Sequence, residues 1–163
     1  MAQTVHLKLQ IDGNDIEGES TIASMDRENT IECSSFFYGI KTPRRSDGKL
    51  TGRRQHKPVK ISKRIDKTTP LLLKALCKNE PVNEAEFMFF RPNPGGSGAE
   101  EKFYTVSLRN GYISGVKQLS EDPITGGEDA PMMEEVEFVF REITWTYEPT
   151  GGTHHDTLKG KRH

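Results

Sequence analysis

Apolar residues are sparse in this chain. They make up 33 % of its 163 residues, the mean hydropathy is −0.70, and no run approaches the roughly 20 consecutive apolar residues that cross a bilayer as a helix. The opening stretch Met1-Ala2-Gln3-Thr4-Val5-His6 lacks the charged and apolar regions of a secretory signal. The expectation is a protein made and folded in the cytoplasm that leaves, if it does, by a route that reads the folded state. There are only two cysteines, Cys33 and Cys77, far apart and outside any metal-ligand spacing. Two reduced, buried thiols are expected, rather than a disulfide or a nucleophile.

Catalytic patterns are also missing. Gly95-Gly96-Ser97-Gly98 is neither a nucleophile elbow nor a phosphate-binding loop, because no Gly-x-Ser-x-Gly frame and no following Lys-Ser/Thr is present. It reads as a flexible connection. His154-His155-Asp156 has no further ligand at fixed spacing and is expected to hold no metal. His6 and His56 lie on or beside strands with no evident acid partner. Glu135 and Glu137 line the polar face of a strand rather than flanking a scissile bond. No nucleophile, base and orienter set can be named, so neither catalytic residues nor a cofactor are expected.

What the chain does have is a divided charge. Residues 41–67 hold eleven Lys and Arg against two acids, and residues 80–149 hold fourteen acids against five bases, although the net charge is −1. A basic segment of this kind can be a solvated loop, can meet an external polyanion, or can meet an acidic surface on another copy of the same chain. Nucleic-acid binding needs aromatic platforms or a groove-reading helix, and between Lys41 and Lys67 the only ring is that of His56. Contact between copies uses both halves of the charge distribution and is the favoured reading. The alternative is a polyanion-binding β-barrel module using segment 41–67. The candidate contact residues are Arg44, Arg45, Lys49, Arg53 and Arg54, in the long polar loop Lys41 to Gln55. A hairpin there would bring the two arginine pairs side by side.

The local patterns are mostly those of strands. Val5, Leu7, Leu9 and Ile11 alternate with polar residues. Asn29 to Ile40 places Ile31, Cys33, Ser35 and Phe37 on one face. Val59, Ile61 and Ile65 mark a further strand, and Glu84 to Phe90 and Lys102 to Leu108 two more. Asn110-Gly111 carries the signal of a two-residue hairpin turn leading to a new strand at Tyr112. Glu135 to Tyr147 reads as one long strand with a parity switch near Arg141-Glu142, the mark of a β-bulge at a barrel corner. One helix is expected at about 70–78, with Thr69 as cap, Pro70 at the first position and Leu72, Ala75 and Leu76 as the buried stripe. Gln118 to Met133 reads as a long loop. The fold class is mainly β: a closed sandwich or β-barrel of about eight strands with one flanking α-helix. Residues 1–148 form a single domain in this reading, and 149–163 a flexible polar tail.

Several segments resemble, in order over about residues 4–148, the Hcp family (haemolysin-coregulated protein), which forms the tube of the bacterial type VI secretion system. They are Ile16-Glu17-Gly18-Glu19-Ser20, Ile31-Glu32-Cys33-Ser34-Ser35-Phe36-Phe37-Tyr38-Gly39, His56-Lys57-Pro58-Val59 through Ile65-Asp66-Lys67 to Thr69-Pro70-Leu71-Leu72, and Ile143-Thr144-Trp145-Thr146-Tyr147. The resemblance implies a barrel subunit in homohexameric rings that stack into a tube inside a contractile sheath. It also implies a spike protein at the tip, small effectors carried and chaperoned in the lumen, and export without a signal peptide. No membrane partner is implied, and there are no catalytic residues to transfer. An extended loop between early strands contacts a neighbouring ring or subunit in that family, and Lys41 to Gln55 occupies its place.

Overall fold

The computed structural model describes residues 3–96, 98–120 and 131–158. Eleven strands and one α-helix are present among them. In chain order the strands are β1 (Thr4–Ile11), β2 (Asn14–Ile16), β3 (Ile31–Phe37), β4 (Ile40–Lys41), β5 (Gln55–His56), β6 (Val59–Arg64), β7 (Val82–Pro92), β8 (Glu100–Leu119), β9 (Met133–Val139), β10 (Glu142–Tyr147) and β11 (Gly152–Thr157), with α1 (Thr69–Cys77) between β6 and β7. The chain neighbours β8, β7, β1, β3, β6 and β9 pair in that order, and β9 pairs back to β8. The sheet is therefore a closed, all-antiparallel barrel, which leaves these strands no free edge. β10 and β11 continue from β8 as an outer flap, and β4 with β5 forms a separate two-stranded hairpin.

Alternation explains most of the core. Leu7, Leu9 and Ile11 of β1, Val59 and Ile61 of β6, Val106 and Leu108 of β8, and Val136 and Phe138 of β9 point inward with Ile31, Phe87 and Ile143. Leu72 and Ala75 of α1 join them. The alternation expected along β3 fails at a bulge. Its register with β6 shifts between Cys33 and Ser35, so Phe36 turns toward the core and Phe37 is left 55 % exposed.

Strand β8 corrects the expected hairpin at Asn110-Gly111. The 20 residues run on without reversing. A straight strand of that length would reach about 66 Å, beyond the width of a compact domain of this size, so it must bend. Residues Tyr104–Arg109 pair with β10, whereas Tyr112–Leu119 pair with β9. The corner between them uses the left-handed conformation of Asn110, φ 55°, for a bend rather than a turn. At Gly111 a Cβ atom would sit 2.2 Å from the carbonyl oxygen of Val139, so only glycine lets the two chain corners meet. The expected parity switch near Arg141 is present and breaks the long strand into β9 and β10.

Two further expectations are corrected. Part of the segment expected to be a flexible tail is β11, paired residue by residue with β10 from Glu142↔Thr157 to Tyr147↔Gly152. Thr69 does not cap α1. Its hydroxyl donates to Glu134 (2.7 Å) and accepts from the amide of Asp66 (3.0 Å), while the Asp66 carboxylate accepts from the amide of Thr68 (2.9 Å) and places negative charge at the helix start. This brings an ion pair into the core. Lys63, on the inward parity of β6, is fully buried and donates to Glu134, to Asp66 (3.0 Å) and to the carbonyl of Arg64 (2.8 Å). Each ammonium hydrogen thus has an acceptor.

Cys33 is buried as expected, but Cys77 is exposed on the last turn of α1. Most of the expected loop Gln118–Met133 lies outside the described residues.

Candidate assembly surface

The polar loop 41–55 is a projecting hairpin. Ile40 pairs with His56 and Lys41 with Gln55, the amide of Thr51 donates to the carbonyl of Pro43 (3.0 Å), and Arg44 bridges to Leu50. Its tip closes at Ser46-Asp47-Gly48, where Gly48 has φ 87° and Asp47 accepts from the Arg45 guanidinium (2.5 Å) and the Lys49 amide (3.1 Å). The arginine pairs do not come side by side. Arg44 and Arg45 flank the tip, while Arg53 and Arg54 lie at the base, opposite the residues that follow Lys41.

The five candidate residues differ in what they touch. Arg44 donates to the carbonyl of Gly48 (2.8 Å), Arg45 is paired with Asp47, and Lys49 and Arg53 have no carboxylate partner among the described residues. Arg54 is held inside its own chain: Nε and Nη2 make a two-point contact with Asp156 of β11, at 2.7 and 2.5 Å. Of the eleven cations in 41–67, four have a carboxylate partner among the described residues: Arg45, Arg54, Lys60 and Lys63. The other seven are exposed. The acids of 80–149 are more fully used within the chain, with Glu80, Glu84, Glu100, Glu101, Glu134, Glu137 and Glu142 all in pairs. A groove of about 440 Å³ outside β1, β2 and β7 collects Asp15, Glu17, Glu28, Glu84 and Glu86 around Lys8.

Asp156 also accepts from Nε2 of His56 (2.7 Å), the acid partner that could not be named from sequence. A carboxylate can only accept, so Nε2 carries the hydrogen, and Nδ1 shares a hydrogen bond with the Tyr38 hydroxyl (2.7 Å). Two hydrogen bonds from Arg54 and one from His56 hold the Asp156 carboxyl well below the usual carboxylate range. Burial, with the Asp156 charge nearby, pushes the Tyr38 phenol up to about 12. The Tyr38–His56–Asp156 order has the look of a nucleophile–base–acid relay. Against that role, the phenol resists ionisation and the carboxylate is shared between His56 and Arg54. The array joins the hairpin base to β11. No local signal marked it in the sequence, since Tyr38, His56 and Asp156 meet across 100 residues and Asp156 lay in the segment expected to be unstructured.

These features define the chain as a small closed β-barrel that displays a cationic hairpin tied down at its base. A family model described as "Type VI secretion system effector, Hcp" matches residues 9–147. The chain is 35 % identical over 128 residues to the major exported protein of Pseudomonas aeruginosa, covering 76 % of this chain and 72 % of that protein. It is similar in structure to the Hcp1 protein from E. coli EAEC 042 pathovar, with 31 % identity, a TM-score of 0.83 and coverage of 97 % of this chain and 100 % of that one. It is also similar to the secreted protein Hcp3 from Pseudomonas aeruginosa, with 25 % identity, a TM-score of 0.77 and coverage of 98 % and 100 %. The chain belongs to the Hcp family, the structural tube proteins of type VI secretion.

Proposed function

We propose that this chain forms hexameric rings that stack into a tube, that the tube is expelled by a contractile sheath together with a spike protein, and that small effectors travel in its lumen. The observation that carries this reading is the projecting hairpin, with Arg44, Lys49 and Arg53 exposed on a chain of this family. A closed barrel has few edges with which to join a neighbour, so contact between copies falls to surface elements such as the hairpin. The acidic groove around Glu84 and Glu86 offers the opposite charge on the same chain, which suits head-to-tail contact. Exposed charge pairs of this kind are screened by salt over roughly 8–10 Å, whereas apolar burial between ring neighbours is not. Export follows from tube expulsion and needs no signal peptide.

Absolute mass from light scattering after size exclusion, at low and high salt, tests the reading. Six times 18.4 kDa at both salts, with larger stacks only at low salt, is the expected result. A monomer throughout would sink it, and a monomer retained on heparin at physiological salt would transfer the hairpin cations to a polyanion-binding role.

A further inference from the structure

The hairpin has little to hold it in place. Its paired strands are two residues each, it is not part of the barrel sheet, and residues 41–55 are exposed apart from a half-buried Pro43. A two-stranded ribbon without a core is marginal on its own. At its base, Arg54 and His56 both reach one carboxylate, that of Asp156.

We propose that Asp156 is a positioning residue for the hairpin: with Arg54 and His56 it forms a clasp that locks segment 39–57 to the C-terminal strand β11 and so fixes the direction in which the hairpin cations project. The clasp sits on a built platform. The rings of His56, Trp145 and His154 lie nearly parallel, with interplanar angles of 12° and 9° and centroids 6.4 and 5.8 Å apart. His56 and Phe140 form a T-shaped pair with an interplanar angle of 84°, and Tyr38 reaches Nδ1 of His56. The His56 side chain is 2 % exposed and that of Asp156 12 %, so the His56–Asp156 hydrogen bond is shielded from competing water, whereas the Arg54 side chain is 53 % exposed and closes the clasp from the solvent side. Strand β11 therefore has a task beyond extending the sheet, because it supplies the one acidic group that both hairpin donors share. The effect on assembly rests on the proposal that the hairpin contacts a neighbouring copy; the clasp itself does not.

The test uses the full-length protein with Asp156→Asn, which keeps the shape and removes the charge, and Arg54→Ala, which acts from the hairpin side and leaves β11 intact. Hydrogen exchange read by mass spectrometry over peptides spanning 39–57 should rise in both, about tenfold or more in Asp156→Asn, the loss expected for one shielded charge-assisted hydrogen bond, and by a smaller factor in Arg54→Ala, whose side chain is exposed. Peptides from β1 and β7 should be unchanged. The emission of Trp145, the only tryptophan, should shift in Asp156→Asn as its stacked imidazole loses its anchor, and Asp156→Glu should recover part of both signals. Exchange in 39–57 equal to the parent protein in both variants overturns the clasp. Raised exchange with unchanged ring stacking would uphold the clasp and refute the hairpin as the stacking contact, so the two readings fail separately.

Discussion

Replacing Lys63 by methionine removes one half of a charge pair that has no access to water. Both Lys63 and Glu134 have fully buried side chains. With the ammonium gone, Glu134 keeps only the Thr69 hydroxyl (2.7 Å) and the Gln118 amide (3.3 Å), and a carboxylate is left uncompensated in the barrel interior. Breaking a buried pair from one side costs about 3–5 kcal/mol. At 2–4 °C per kcal/mol for a chain of this size, that is a fall in Tm of roughly 6–20 °C. Lys63→Met together with Glu134→Leu removes both charges. The double variant should recover most of the loss, ending within about 1–2 kcal/mol of the parent, the remainder reflecting the Thr69 hydroxyl that loses its acceptor and the slightly exposed Asp66 carboxylate that loses its Lys63 partner. Urea titrations followed by Trp145 emission give the midpoint and slope for each variant. All are run at one protein concentration, because association between copies adds its own stability. The reasoning is refuted if Lys63→Met costs less than about 1 kcal/mol, or if the double variant is no more stable than the single one.

Two further outcomes follow from single positions. Gly111→Ala forces a methyl group to within 2.2 Å of the Val139 carbonyl oxygen. It should cost about 1–3 kcal/mol, visible as a lower urea midpoint, whereas alanine at Gly115, where the nearest atom is a side-chain carbon 3.7 Å away, should cost clearly less. Burial pushes the Cys33 thiol up to about 12, so almost none of it is thiolate near pH 8, while Cys77 is exposed. Maleimide labelling of the native protein should therefore modify one thiol per chain, at Cys77, and both in denaturant. Rapid labelling of Cys33 in the native protein would contradict its burial.

How legible each element was depends on how local its cause is. The alternation of Val5, Leu7, Leu9 and Ile11, the helix after Pro70 and the parity switch at Arg141 are written within a few residues, and each appears where the pattern placed it. The turn expected at Asn110-Gly111 is instructive. Asn110 adopts the left-handed conformation that asparagine favours, but a bend and a reversal use the same residue, and only the strands on either side decide between them. His154-His155-Asp156 looked like tail because β11 has no apolar face of its own; it is a strand because β10 offers it a ladder of backbone partners. The arginine pairs looked equivalent as a cluster of charge. In space Arg54 is tied to Asp156 and Arg53 has no carboxylate partner among the described residues, a difference that no count of charges contains.

The sequence alone determined the mainly β class, the single helix, the basic segment and the likeness to a known family, because strand periodicity, helix starts and charge density are short-range properties of the chain. Tertiary structure alone decided that the sheet closes on itself, that Lys63 goes inward to meet Glu134, and that Tyr38, His56, Arg54 and Asp156 become one array. The charge pairings join residues far apart in the chain, 71 positions for Lys63 and Glu134 and 100 and 102 for His56 and Arg54 with Asp156, and which of many similar charges meet is settled by where the closed barrel brings their backbones together.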